Sequence, residues 1–144
     1  MVEHAETDEA ILACYDVMAE LRLNISREAF LPTVRSMQKD GLRLACICEG
    51  GRVVAVAGYR VSTNLFCNRH LYVDDLVTAG SERSKGLGKE LLAWLREQAV
   101  AEGCDVFHLD SGVQRKRAHE FYLREGLELS SYHFSERLKP RAKP

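Results

Sequence analysis

The stretch from Arg69 to Leu109 constrains the fold more than any other part of the chain. It reads as a strand (Arg69–Thr78), a glycine-containing loop, a helix from about Gly86 to Ala101, and a buried strand centred on Val106–Leu109. Leu87, Leu91, Leu92, Leu95 and Ala99 recur at helical spacing, and Gly103 ends the helix. Strands separated by such a helix pair in parallel, through a right-handed crossover.

Upstream, Leu42–Glu49 and Val53–Val61 read as strands joined by a Gly50-Gly51 hairpin turn. A polar loop over Ser62–Asn68 leads into the third strand. This meander is antiparallel, so the sheet is mixed. Thr7–Arg22 reads as a helix with Asp8 and Glu9 in its first turn and an apolar stripe of Ile11, Leu12, Tyr15, Met18 and Ala19. Ser26 caps a second helix to about Lys39, which Pro32 kinks or splits and Asp40-Gly41 ends. Arg115–Glu125 is a short helix stopped by Gly126, and Leu127–Leu138 reads as one or two final strands. The expectation is one α/β (α+β) domain over residues 1–138, with a disordered tail over 139–144.

A chain of 144 residues buries enough surface for one core without disulfide or metal staples. Its formal net charge of −1 gives no reason to expect nucleic acid or an anionic membrane as partner. No apolar run approaches the roughly 18–20 residues that cross a bilayer. The acidic N-terminus lacks a signal-peptide core, so the expected location is the cytoplasm. The odd number of cysteines, set in apolar segments, reads as buried reduced thiols. Cys46 and Cys48 share one side of a strand, but no second Cys pair or close His pair accompanies them. His70, His108, His119 and His133 show no ligand spacing, and no metal is expected.

The chemistry concentrates in Val77-Thr78-Ala79-Gly80-Ser81-Glu82-Arg83-Ser84-Lys85-Gly86-Leu87-Gly88-Lys89. Gly86 and Gly88 stand where the loop after a strand's carboxyl end becomes a helix. Glycine lets backbone N–H groups approach a ligand. Unpaired N–H groups and the helix dipole both favour an anion there. Arg83, Lys85 and Lys89 add positive charge. A phosphate or pyrophosphate suits this loop. The P-loop fails because Glu90 follows Lys89 and position 83 is not glycine; the dinucleotide fingerprint fails because position 91 is leucine. The glycines alone leave a plain loop and helix start equally open.

Tyr72-Val73-Asp74-Asp75-Leu76-Val77, followed by Arg83-x-x-Gly86-x-Gly88, resembles the acetyl-CoA motif of the GNAT superfamily. Ala118-His119-Glu120-Phe121-Tyr122-Leu123-Arg124-Glu125-Gly126-Leu127 resembles that family's second segment, Ala-x-x-Phe-Tyr-x-x-x-Gly-Phe. The element order agrees over about residues 1–138. The resemblance implies a central mixed, mostly antiparallel sheet with a splayed parallel pair, flanked by about four helices. It implies acetyl-CoA as co-substrate, bound through Arg83, Ser84, Lys85, Gly86, Leu87, Gly88 and Lys89, with Leu76 and Val77 along the pantetheine arm. Arg115 stands where the family often has a coenzyme-holding Asn, so it becomes a candidate phosphate contact or merely the start of the helix. Tyr122 matches the usual general acid. Asp74 and Asp75 match a Glu-Asp pair of the polyamine acetyltransferases, with Asp74 the first choice for base. On an ideal strand adjacent residues face opposite sides, so one of them points away unless a bulge intervenes.

The activity this implies is acetyl transfer to a primary amine of a small molecule: a polyamine, amino sugar, aminoglycoside or amino acid. The acceptor pocket is expected from the first two helices and the loops near Ser62–Asn68 and Ser131–His133. Alternatives are acetylation of a protein lysine or N-terminus, or a non-catalytic acyl-CoA-binding module. A homodimer is compatible with all of these.

Overall fold

A computed structural model describes residues 1–141. Its five strands lie in chain order in one sheet: β1 (Val2–His4), β2 (Arg43–Glu49), β3 (Arg52–Asn64), β4 (Asn68–Thr78) and β5 (Val106–Leu109). The first three pairings are antiparallel, and β4–β5 is parallel, as the crossover requires. The helices are α1 (Asp8–Ala13), α2 (Tyr15–Leu21), α3 (Arg27–Lys39), α4 (Leu87–Ala101) and α5 (Lys116–Arg124).

Each face of the sheet carries its own apolar cluster. On one face Ile11, Cys14, Val17, Met18, Phe30 and Val34 pack on Leu42, Leu44, Cys46 and Val56. On the other, Leu87, Leu91, Leu95 and Ala99 of α4 pack on Ala55, Ala57, Tyr59, Leu71 and Val73. Full burial of such a side chain contributes about 1.5–3 kcal/mol each. Thr7 and Ser26 cap α1 and α3, their hydroxyls accepting from the N–H groups of Ala10 and Ala29 at 3.1 and 3.2 Å.

The structure departs from the expectations in five places. The helix expected over Thr7–Arg22 is broken at Cys14. Its thiol donates to the Ala10 carbonyl at 3.4 Å while its N–H turns to Ile11 O at 3.0 Å, tightening the chain between α1 and α2. Pro32, conversely, sits inside an unsplit α3. The strand β1 was not expected, because three residues are too few to show a period. The loop expected over Ser62–Asn68 shrinks to Leu65-Phe66-Cys67, since Ser62, Thr63 and Asn64 pair with His70, Arg69 and Asn68. Their polarity marks a solvated hairpin tip. Finally, the strands expected over Leu127–Leu138 are not formed. This segment runs past Asp110, whose Oδ1 lies 3.9 Å from His133 Nδ1, to residues 135–141 beside Asn24. Leu129, Tyr132 and Phe134 are therefore exposed, and the alternation finds no ladder. Of the tail expected to be disordered, 139–141 belongs to no helix or strand, and 142–144 lies outside the described residues.

The packing of α4 is directly testable. Leu95 is fully buried, so Leu95→Ala is expected to lower stability by about 2–5 kcal/mol in denaturant unfolding. Val100, exposed on the same helix, should tolerate Ala within about 0.5 kcal/mol.

Candidate active site

The site begins where the parallel ladder stops. Pairing between β4 and β5 ends at Val73↔Leu109, but β4 continues to Thr78 with β3 alone. Backbone groups of the last β4 residues therefore border a gap on the β5 side. Leu76 and Val77 run along it, their side chains packed into the clusters on opposite faces. Beyond β5, the Ser111 hydroxyl is buried and has no partner among the described residues.

The loop after β4 makes a 3₁₀ turn (Gly80–Glu82) and enters α4 through two left-handed residues, Ser84 (φ 69°) and Gly86 (φ 80°). A left-handed non-glycine residue is uncommon and recurs at ligand clamps. Glu90 N–H donates to Gly86 O at 3.0 Å, and this bond opens the helix. The N–H groups of Leu87, Gly88 and Lys89 thus have no intrahelical partner. A Cβ on Gly88 would lie in ordinary van der Waals contact with Phe121 Cζ at 3.6 Å and Thr78 Oγ1 at 3.7 Å. Arg83, Ser84, Lys85, Gly86 and Lys89 are exposed. Leu87 is not a surface residue of the loop: its side chain is buried beneath α4, leaving only its backbone for a ligand. Lys85 donates to Glu82 at 2.5 Å, and Arg52 pairs with the same carboxylate. Lys85 and then Arg52 hold the Glu82 carboxyl below its usual range. Arg83 and Lys89 have no ion-pair partner among the described residues.

The two aspartates are brought together by a bulge. Gly58 pairs with Asp75 and Tyr59 with Val73, so Asp74 is an extra residue in β4. The bulge resets the alternation, and Tyr72, Asp74 and Asp75 all line one cavity. Its volume is about 410 Å³, and Met18, Ile25, Phe30 and Leu42 supply apolar walls. Helix α2 and the loop after it form it with α3, β2 and β4; the loops near Ser62–Asn68 and Ser131–His133 do not contribute. Two arginines that the sequence did not single out hold the aspartates, Arg22 from the cavity wall and Arg60 from outside it. Arg22 Nε donates to Asp75 Oδ1 at 2.5 Å and its Nη2 to the Asp74 carbonyl at 2.9 Å. Arg60 Nε donates to Asp74 Oδ2 at 2.9 Å. Burial raises the Asp75 carboxyl above its usual range, and Arg22 only partly opposes this. Gly58 makes room for it: a Cβ there would lie 3.3 Å from Asp75 Oδ2.

Tyr122 lies on α5 beside Phe121, with ring centroids 5.4 Å apart. Burial raises its phenol pKa, and the nearby Arg115 guanidinium works in the opposite direction. Arg115 thus faces Tyr122 at the N-terminus of α5. On the β4–β5 ladder Tyr72 donates to Asp110 Oδ2 at 2.6 Å.

The geometry is matched by known proteins. The model of the acetyltransferase (GNAT) family matches residues 9–127. The chain is 35% identical over 122 residues to the N-acetyltransferase YhdJ of Bacillus subtilis, covering 83% of this chain and 86% of that one. It is 27% identical over 142 residues to the aminoalkylphosphonate N-acetyltransferase of Salmonella typhimurium, covering 95% and 90%. The fold superposes on an acetyltransferase of Trypanosoma brucei with a TM-score of 0.80 at 21% identity, covering 96% and 99%. Against AAC(6')-Iy bound to a bisubstrate analogue the TM-score is 0.82 at 14% identity, covering 97% and 98%. No helix among the described residues is long and apolar enough to cross a membrane. A phosphate-ready loop, a forked parallel pair and family matches across most of the chain thus converge: the chain belongs to the acetyltransferase (GNAT) family and is an acetyl-CoA-dependent N-acyltransferase.

Proposed function

We propose that the chain acetylates the primary amine of a small molecule that also carries an anionic group, by direct attack in a ternary complex. The observation that carries this reading is the cavity of about 410 Å³ that holds Asp75 and Arg22 together beside the β4–β5 fork. That volume suits a small ligand. The Arg22 guanidinium in its wall offers an anion a partner. The 27% identical relative named for aminoalkylphosphonates fits the same chemistry.

In this reading the coenzyme pyrophosphate rests on the Leu87, Gly88 and Lys89 N–H groups, with Arg83 and Lys89 supplying charge and Ser84 and Gly86 shaping the turn. Lys85 joins only by leaving Glu82. The pantetheine arm follows Leu76 and Val77, where a strand N–H aimed at the thioester oxygen stabilises the oxyanion; such donors typically contribute about 10²–10³ in rate. The alkylammonium, near pKa 10.4 when free, gives up a proton before it attacks. Asp75 is the better base of the pair. Its carboxyl has the raised proton affinity, whereas Asp74, the first choice from alignment, is held by Arg60. The amine nitrogen bonds to the acyl carbon, the resulting N–H2+ adduct releases its second proton to solvent, the carbon–sulfur bond breaks, and Tyr122 gives its proton to the leaving thiolate. Arg115 then stabilises the phenolate until it is reprotonated.

Four outcomes are expected. Calorimetry should show Gly88→Val losing most acetyl-CoA affinity, because its side chain would crowd Phe121 and Thr78; unchanged affinity would remove the loop from the coenzyme site. An acetylation assay across an amine panel should favour ω-amino phosphonates or carboxylates over polyamines. The pH profile of kcat/KM should lose activity as pH falls through the raised Asp75 pKa, above the ordinary carboxylate value of about 3.9. Asp75→Asn should abolish that limb and Asp74→Asn retain it; the reverse pattern would make Asp74 the base. Tyr122→Phe should lower kcat by about 10²–10⁴ with coenzyme affinity and Tm nearly unchanged. Full turnover by this variant, with chemistry limiting, would end the general-acid role.

A further inference from the structure

The far end of the β4–β5 ladder, away from the fork, carries a cluster that acetyl transfer does not use. His70 is the first β4 residue to pair with β5, and its Nδ1 lies 2.8 Å from His108 Nε2. Cys67 sits in the tight turn just before β4, and its Sγ lies within 4.8 Å of both imidazole ligand atoms. Three side chains from two strands and a turn thus bring one nitrogen or sulfur each within 4.8 Å of one another.

We propose that Cys67, His70 and His108 form a three-ligand site for a borderline divalent transition-metal ion, with zinc the best match. Thiolate and imidazole are the preferred zinc donors, and three protein ligands leave a fourth position for water. With zinc–nitrogen bonds of about 2.0–2.1 Å, tetrahedral coordination sets two imidazole nitrogens about 3.3 Å apart. The His70–His108 contact has only to open by about 0.5 Å to admit the ion. Outer contacts already orient two of the ligands. Ser62 Oγ lies 3.3 Å from the other His70 nitrogen, Nε2. Asn64 Oδ1 holds the Cys67 turn by accepting from its N–H at 2.8 Å; the thiol, which donates to the same oxygen at 3.3 Å, gives up that bond when it ionises to bind the ion. Partners of this kind fix ligand orientation in metal sites. His70 is 8% exposed while Cys67 and His108 are half-buried, so the site is sheltered yet reachable. A bound ion would clip the β3–β4 turn to the edge strand β5 and fix the root of the fork.

The test uses the full chain, stripped with chelator and titrated with Zn²⁺ against a chromophoric competitor, and separately with Co²⁺. The expected result is one ion per chain and a rise in Tm with Zn²⁺. The Co²⁺ form should show a thiolate-to-cobalt charge-transfer band that Cys67→Ser removes. Cys67→Ser and His108→Asn should each weaken Zn²⁺ binding by more than the about 10–100-fold typical of losing an outer partner. Cys46→Ser and Cys48→Ser, in the separate Glu3–Cys46–Cys48 cluster, should leave it unchanged. No stoichiometric binding, a wild-type cobalt spectrum without the thiolate band, or binding lost only in the Cys46 and Cys48 variants would each overturn the proposal. The wild-type cobalt spectrum decides even if a variant fails to fold.

Discussion

The site proposed for acetyl transfer depends on β4 being longer than its parallel partner. β5 offers four residues, and the ladder uses them up at Val73↔Leu109. Beyond that point β4 stays extended because β3 holds its other edge out to Thr78. Exposed backbone at a strand edge invites another extended chain. Here the invitation is confined to a gap that ends at the loop entering α4. The crossover helix then sets unpaired N–H groups at the gap's end. One topological unit therefore creates both the slot and the anion cradle, with α4 anchored independently through Leu87, Leu91 and Leu95.

The bulge at Asp74 is the second device. Without it, Asp75 would point into the α4-side cluster, among Leu71 and Val73, where a carboxylate would find no partner. The extra residue turns Asp75 toward Arg22 and places Tyr72, Asp74 and Asp75 together on the β4 wall of the cavity. Gly58 is the matching concession on β3, where a side chain would press on the same carboxylate.

What could be read from the sequence follows from what is local. The unit from Arg69 to Leu109 was legible because helical period, strand length and glycine position all sit within one window, and β5 falls on the residues expected. The bulge condition on Asp74 and Asp75 could be stated but not resolved, since register belongs to two strands at once. Arg22 and Arg60 could not be found: they lie 53 and 14 residues from the aspartates they hold and belong to no motif. The His70–His108 contact spans 38 residues and was hidden because ligand-spacing rules read along the chain, while neighbouring strands bring residues together across it. Leu127–Leu138 shows the opposite error. Its alternation is real, but a period makes a strand only when an edge is available on its path.

In the proposed function an aspartate already paired with arginine has to act as base, and the magnitudes favour this. Arg22 has about half of its side chain in solvent (49%) against 14% for Asp75. A pair with one such partner contributes about 0–1 kcal/mol, because water and salt screen it and the long side chain loses freedom in it. The burial of Asp75 is not screened in that way, and it is the largest influence on its carboxyl. An incoming ammonium can therefore replace Arg22 at Asp75 at little cost, and it brings no second permanent charge once deprotonated. Displaced, Arg22 remains tied to the strand only through the Asp74 carbonyl and is available to an anionic group on the same substrate. In the proposed function the ion pair acts as a stand-in for the two ends of such a substrate. This also explains why the cavity tolerates buried charge before substrate arrives: each carboxylate has a guanidinium, and neither guanidinium is deeply buried.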